Sequence, residues 1–276
     1  MKIEIKDKNI EIIGMENFSL AQTLDCGQAF RWEDLGDGFW RGMAYNKILT
    51  LCQKDDKITF FNTTKEDFYN IWYDYFDLDR DYKKIIEELS QNPILKEAAV
   101  FGGGIRILRQ EPWETLCSFI ISQNNNIPRI KGIIGRLCEN FGEKTQEGIY
   151  TFPTAEKIAA LSLEDLAIIR SGFRAKYILD AARKITSNEI NLTQLINSPT
   201  DIAIQDHMKI YGVGEKVADC ELLFGLYHIN AFPKDVWIKR AMEKLFDGNL
   251  PPCAEKYAGV AQQYIFYYAR MKKLDV

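Results

Sequence analysis

Two glycines set two apart, Gly212 and Gly214, constrain this chain more than any other feature. They follow a polar run from Gln205 to Tyr211 and precede a helical pattern from Glu215 to about Tyr227. Glycine enters turns that residues with a Cβ resist, so Gly212-Val213-Gly214 predicts a tight reversal into a helix. The first N–H groups of any helix lack an intrahelical acceptor, and without bulky side chains over them an anion such as a phosphate can sit there. Lys216 falls in the first turn of that helix, and Asp235 follows in a loop that also carries Pro233.

The whole-chain charge of −4 at pH 7 argues against a nucleic-acid partner, since phosphate neutralisation supplies most non-specific affinity. Where the cations stand matters more than their sum. Arg129, Lys131 and Arg136 fall in one run, Arg170, Arg174, Lys176 and Arg183 in another, and acids gather between Glu66 and Asp81. The six cysteines are scattered with no Cys-x-x-Cys pair, which speaks against a disulfide scaffold, a zinc ribbon and an iron–sulfur cluster. With two histidines, a histidine metal site or a serine-histidine triad is not expected. No leader or membrane-length apolar block stands out, so a soluble intracellular monomer without a membrane partner is expected, in the cytoplasm or nucleoid, or in the nucleus of a eukaryote.

Residues 1–63 read as β. Period-two alternation runs through Lys2–Lys6, Asn9–Ile13 and Lys57–Phe61, and Phe39–Tyr45 with Lys47–Cys52 predicts a hairpin about Asn46. From Lys65 the period becomes helical, as in Tyr82–Ser90. Gly102-Gly103-Gly104 has no phosphate-loop context and reads as a linker or helix cap. Past Pro112 helices are predicted over Trp113–Ser122, Pro128–Phe141, Thr154–Ala160, Leu163–Ile169, Ala175–Ser187, Thr193–Asn197 and Tyr257–Met271. The expected fold class is α+β: an N-terminal antiparallel β-sheet domain with flanking helices over 1–110, fused to an all-α domain over 111–276 with its hairpin at 205–227.

Gly-Val-Gly-Glu-Lys-Val-Ala-Asp-Cys from Gly212, followed by Phe-Pro-Lys-Asp-Val from Phe232, resembles the helix-hairpin-helix and Gly/Pro…Asp signature of base-excision DNA glycosylases. The lysine at 216 resembles that of the branch that also cuts the strand. Breaking the bond between base and C1′ passes through an oxocarbenium-like state that a carboxylate stabilises. An amine attacking C1′ forms a Schiff base from which elimination nicks the strand. Lys216 and Asp235 are the residue types this needs, and Asp235 also suits the N-cap of a helix starting at Val236. Helical spacing puts Cys220 one turn beyond Lys216, and Gln262 and Phe266 one turn apart on another helix.

Further motifs narrow the resemblance to the 8-oxoguanine DNA glycosylase/lyases: Cys26 to Trp32, Gly104-Ile105-Arg106 through Arg109 to Glu114, Gln123 to Ile127, and Ala261-Gln262 with Phe266. Together they span nearly the whole chain. The resemblance implies base excision repair on duplex DNA containing oxidised guanine, without a required cofactor. It implies that Gly27 offers its carbonyl to the N7–H that oxidised guanine has and guanine lacks, with Cys220, Gln262 and Phe266 lining the base site. It implies further that Asn124 and Asn125 enter the duplex, that Arg129 and Arg174 meet the orphaned cytosine, and that Phe173 is the wedge where better-known eukaryotic members have tyrosine. Trp237 stands where those members have histidine, which puts one phosphate contact in doubt but not the chemistry. The N–H groups of Gly212, Gly214, Lys216 and Val217 would hold a phosphate, and the carbonyls of Met208, Ile210 and Val213 a structural cation. Two other readings stay open on the residues: a glycosylase for another damaged or mismatched base, and a non-catalytic helix-hairpin-helix DNA-binding protein.

Overall fold

A computed structural model describes residues 1–272. By contact the chain forms two compact units, Met1–Arg109 together with the segment from Ile229 onward, and Gln110–His228. The segment from Ile229 onward thus groups by contact with the β unit, not with the helical stretch that precedes it.

In the first unit the strands are β1 (Lys2–Lys6), β2 (Asn9–Ile13), β3 (Trp32–Gly36), β4 (Phe39–Ala44), β5 (Lys47–Lys54) and β6 (Lys57–Phe61). They form one antiparallel sheet in the order β1-β2-β6-β5-β4-β3. Alternation explains the buried face: Ile10, Ile12, Leu49, Leu51, Ile58 and Phe60 point into the core. Ala44 pairs with Lys47 across Tyr45 and Asn46, both at positive φ, as a two-residue hairpin turn requires.

β3 escapes the alternation rule, because only its first residue is buried. Trp32 anchors it by packing on Trp72, Tyr75 and Phe76, and its indole N–H donates to the Tyr75 hydroxyl at 2.7 Å. A Cβ at Gly42 on β4 would overlap that indole, so the strand pairing demands glycine there. Gly102 closes a helix over Pro93–Gly102, with Gly103 as its cap, and this helix packs against Ala258–Met271.

The second unit is helical. Its principal helices are Pro112–Ser122, Ile127–Phe141, Arg174–Thr186, Thr200–His207 and Glu215–Phe224. Pro128 takes the first turn of its helix, where a missing N–H costs nothing, and the Asn126 side chain caps it by accepting from Arg129 N–H at 3.0 Å. Glu215–Phe224 stops short of the expected Tyr227, because Gly225 caps it and Tyr227 turns to positive φ. Phe119 stacks on Phe224 at 5.4 Å and joins that helix to Pro112–Ser122. Among the described residues no helix is long and apolar enough to cross a membrane.

Candidate active site

The helical unit holds the hairpin. Thr200–His207 ends, the chain turns through Met208 to Gly214, and Glu215–Phe224 begins. Gly212 sits at φ +78°, and a Cβ there would overlap the Tyr177 ring, so both backbone and packing restrict this position to glycine. Gly214 is the N-cap and brings no side chain to the helix start. Among the described residues no acceptor takes the N–H groups of Gly212, Gly214 or Lys216. The Val217 N–H, expected with them, is engaged by the Gly214 carbonyl at 3.0 Å in a tightened first turn. Three bare donors at a helix N-terminus suit an anion.

Lys216 leaves the first turn of this helix half-buried. Its Nζ lies 3.3 Å from Ser122 Oγ and 5.3 Å from the centre of the Phe119 ring. Within its own unit no described carboxylate pairs with it. Cys220 is buried one turn further on. Glu221, next in line, is fully buried with neither carboxylate oxygen hydrogen-bonded. Burial pushes its carboxyl well above the ordinary range, and repulsion from Glu111 adds to this.

The asparagine triplet divides its labour. Asn124 takes positive φ and is exposed, while Asn125 donates its amide to Ile121 carbonyl at 3.1 Å. Arg129 is exposed. Arg174 is not: it is 2% exposed and donates to the carbonyls of Gln123, Asn124 and Ser171. Its guanidinium braces the Asn124 turn, because the loop carbonyls converge on it. Phe173 is 47% exposed, with the Arg174 guanidinium 4.4 Å from its ring centre and Tyr177 edge-on at 5.6 Å. An exposed ring held on two sides has the form of a wedge.

The remaining candidates belong to the first unit. Asp235 is the N-cap of Val236–Phe246, with Oδ1 accepting from Ile238 N–H at 2.7 Å. Trp237 is exposed in that helix's first turn. Gln262 and Phe266 stand one turn apart on Ala258–Met271. The buried Gln262 amide donates to Pro233 carbonyl at 3.3 Å and accepts from Gln263 at 2.7 Å, so a base edge would have to share or displace these partners. Gly27 sits at φ +87°, and among the described residues nothing donates to its carbonyl.

Gln28 is a residue that sequence reasoning passed over. Its buried amide donates to Thr23 and Arg106 carbonyls at 2.9 and 2.8 Å and accepts from Leu108 N–H at 3.0 Å. Those three bonds fix the loop that presents Gly27. Its place inside the Cys26–Trp32 motif was the only signal available.

Among the described residues no three His, Cys, Asp or Glu side chains gather to hold a metal. The hairpin carbonyls of Met208, Ile210 and Val213 are neutral oxygens of the kind hard cations accept. Ile210 carbonyl already receives Val213 N–H at 3.0 Å, but a carbonyl has a second lone pair.

Bare hairpin amides with a half-buried lysine in the first turn that follows have the form of a helix-hairpin-helix motif, and the comparisons with known proteins agree. The family model described as HhH-GPD superfamily base excision DNA repair protein matches residues 117–255, and that of the 8-oxoguanine DNA glycosylase N-terminal domain matches 12–116. The N-glycosylase/DNA lyase of Saccharomyces cerevisiae is 33% identical over 84% of this chain and 69% of its own length. The solved 8-oxoguanine glycosylase/lyase of Clostridium acetobutylicum, in complex with duplex DNA containing cytosine opposite 8-oxoG, is 39% identical, with 99% of each chain covered and a TM-score of 0.92. A 3-methyladenine DNA-glycosylase from Archaeoglobus fulgidus, 18% identical with a TM-score of 0.73, shares the fold. The chain belongs to the 8-oxoguanine DNA glycosylase/lyase family.

Proposed function

We propose that this protein excises 8-oxoguanine from duplex DNA and then cuts the strand by β-elimination. The observation that carries the chemistry is the seat of Lys216: an amine partly withdrawn from water, free of a carboxylate within its unit, on a residue whose own backbone N–H is one of three unsatisfied hairpin donors. The hairpin amides of Gly212, Gly214 and Lys216 take a backbone phosphate, which fixes where the sugar stands relative to Nζ. Nζ, as the neutral amine, forms a bond to C1′ as the C1′–N9 bond breaks and the base leaves with that electron pair and a proton. Asp235 stabilises the positive charge that develops at the sugar. The C1′–O4′ bond then opens, O4′ taking up a proton as Nζ sheds one, to give a Schiff base that acidifies C2′–H; loss of that proton expels the 3′ phosphate.

Substrate choice falls to Gly27. Its carbonyl accepts the N7–H of 8-oxoguanine, whereas guanine N7 would set one lone pair against another. Gln262 reads the base edge and Phe266 stacks on it. Phe173 fills the space vacated by the flipped nucleotide, while Asn124 and Arg129 meet the orphaned cytosine. The carbonyls of Met208, Ile210 and Val213 hold a cation that stiffens the hairpin, and no redox cofactor takes part. The enzyme works as a monomer in the compartment that holds chromosomal DNA.

Borohydride trapping on a duplex with one 8-oxoguanine opposite cytosine tests this. A covalent adduct on the lesion strand, absent with plain guanine and absent in Lys216→Gln, is the expected result. Adducts that persist in Lys216→Gln remove the lysine from its role. Excision of 3-methyladenine but not 8-oxoguanine from a lesion panel would overturn the substrate assignment.

A further inference from the structure

In the second cationic run, Lys176 is a residue that no catalytic role absorbs and that the fold holds in place. It stands exposed in the first turn of Arg174–Thr186, and among the described residues it pairs with no carboxylate. Its ammonium is nonetheless held in place. Nζ donates to the Tyr211 hydroxyl at 3.3 Å, and lies 5.0 Å from the Tyr211 ring centre and 5.5 Å from that of Tyr177. Two aromatic faces and one hydroxyl therefore locate a charge that a surface lysine ordinarily leaves free to wander.

The cluster is built onto the hairpin. Tyr211 immediately precedes Gly212 and is 55% exposed. The two tyrosine rings meet edge to face at 5.2 Å, and the Tyr177 ring occupies the space a side chain at position 212 would need. Asp180 fixes the backbone beneath by accepting Tyr211 N–H at 2.7 Å, and Lys184 neutralises that carboxylate at 3.1 Å. Asp180 is thus occupied twice, while Lys176 keeps its charge for something outside the protein.

From this we infer that Lys176 and Tyr211 form a further DNA-backbone site beside the hairpin, taking a phosphate next to the one bound by the hairpin amides. The Tyr211 oxygen accepts from Lys176, so its own hydrogen is free to donate to a phosphate oxygen while the ammonium supplies the charge. Tyr177 is the positioning residue that carries both onto the turn. The inference rests on duplex DNA being the partner, but it does not depend on which base is excised.

Salt titration of binding tests it, with undamaged and 8-oxoguanine duplexes of equal length. Each phosphate contact contributes about 0.9 to the slope of log affinity against log salt. Lys176→Gln should lower the slope by about 0.9 and weaken binding about eightfold at 0.1 M salt, equally on both duplexes, with trapping at saturating protein unchanged. Lys176→Arg should keep the slope. Tyr211→Phe should keep the slope and lose about threefold in affinity, the worth of one hydrogen bond. An unchanged slope in Lys176→Gln overturns the proposal, as does an equal fall in Lys8→Gln, an exposed cation of the other unit. A wild-type protein that binds duplex with full slope but excises no 8-oxoguanine refutes the catalytic reading alone and leaves this test standing.

Discussion

Glu221→Gln should make the protein more stable as pH rises, relative to wild type. The wild-type carboxyl is 0% exposed, neither oxygen has a hydrogen bond, and Glu111 stands near enough to repel its charge. Burial holds its folded-state pKa well above the 4.5 of an ordinary glutamate. An unfolded chain releases this proton near the ordinary value, while the folded chain keeps it. Between those two pKa values the folded state binds one more proton, so stability falls as pH rises. The loss is about 1.4 kcal/mol per pH unit inside that window and stops above the folded pKa. Glutamine has the shape of the protonated acid and no proton to lose, so its own unpaired amide adds only a constant offset. The gap in Tm between variant and wild type should widen by about 3–5 °C for each pH unit across the window. Thermal unfolding at pH 5.5, 6.5 and 7.5 measures it, and subtraction cancels the groups both proteins share. Two parallel curves, with a gap independent of pH, would show that Glu221 is ionised or solvated in the native state and refute the reasoning.

Three further outcomes are expected. Lys216→Gln should lose borohydride trapping entirely while its duplex affinity stays within about twofold, since glutamine leaves the backbone N–H groups of the hairpin in place but cannot form a Schiff base. Asp235→Asn keeps a good N-cap, so Tm should move by less than about 3 °C, while the excision rate falls about 10²–10³-fold through lost charge stabilisation; a large Tm drop with the rate intact would make Asp235 a structural cap only. If the Met208, Ile210 and Val213 carbonyls bind a cation, exchanging potassium or magnesium for a bulky organic cation at constant ionic strength should lower Tm by a few degrees, and no change would discard that site.

Much of the fold was legible because its signals are local. β1, β2 and β6 appear over the residues their alternation marks, since a half-buried strand writes its period into the sequence. β3 was not, because Trp-Glu-Asp-Leu-Gly does not alternate, and Trp32 holds it through partners forty residues away in the chain. The helix Pro93–Gly102 was missed for another reason: its composition is apolar nearly all round, and the three glycines at its end read as a break. At the site, Lys216 and the hairpin glycines were legible since their relation is one of sequence spacing. The bracing of Arg174 and the occupied amide of Gln262 were not, because both depend on carbonyls that other segments bring. Nor does a one-dimensional pattern reveal that Glu221 faces inward.

The contact grouping has a consequence for synthesis on the ribosome. Gln110–His228 is an uninterrupted stretch, whereas the β unit is assembled from the beginning of the chain and from the segment after Ile229. The helix Pro93–Gly102 emerges early but packs against Ala258–Met271, so its apolar faces must wait while the whole hairpin unit is translated. At about 5–20 residues per second, that interval is on the order of ten seconds, long enough for the hairpin unit to fold first. The β unit is then completed only by the segment after Ile229, which makes the nascent protein most exposed to misfolding when the hairpin unit with Lys216 has already formed.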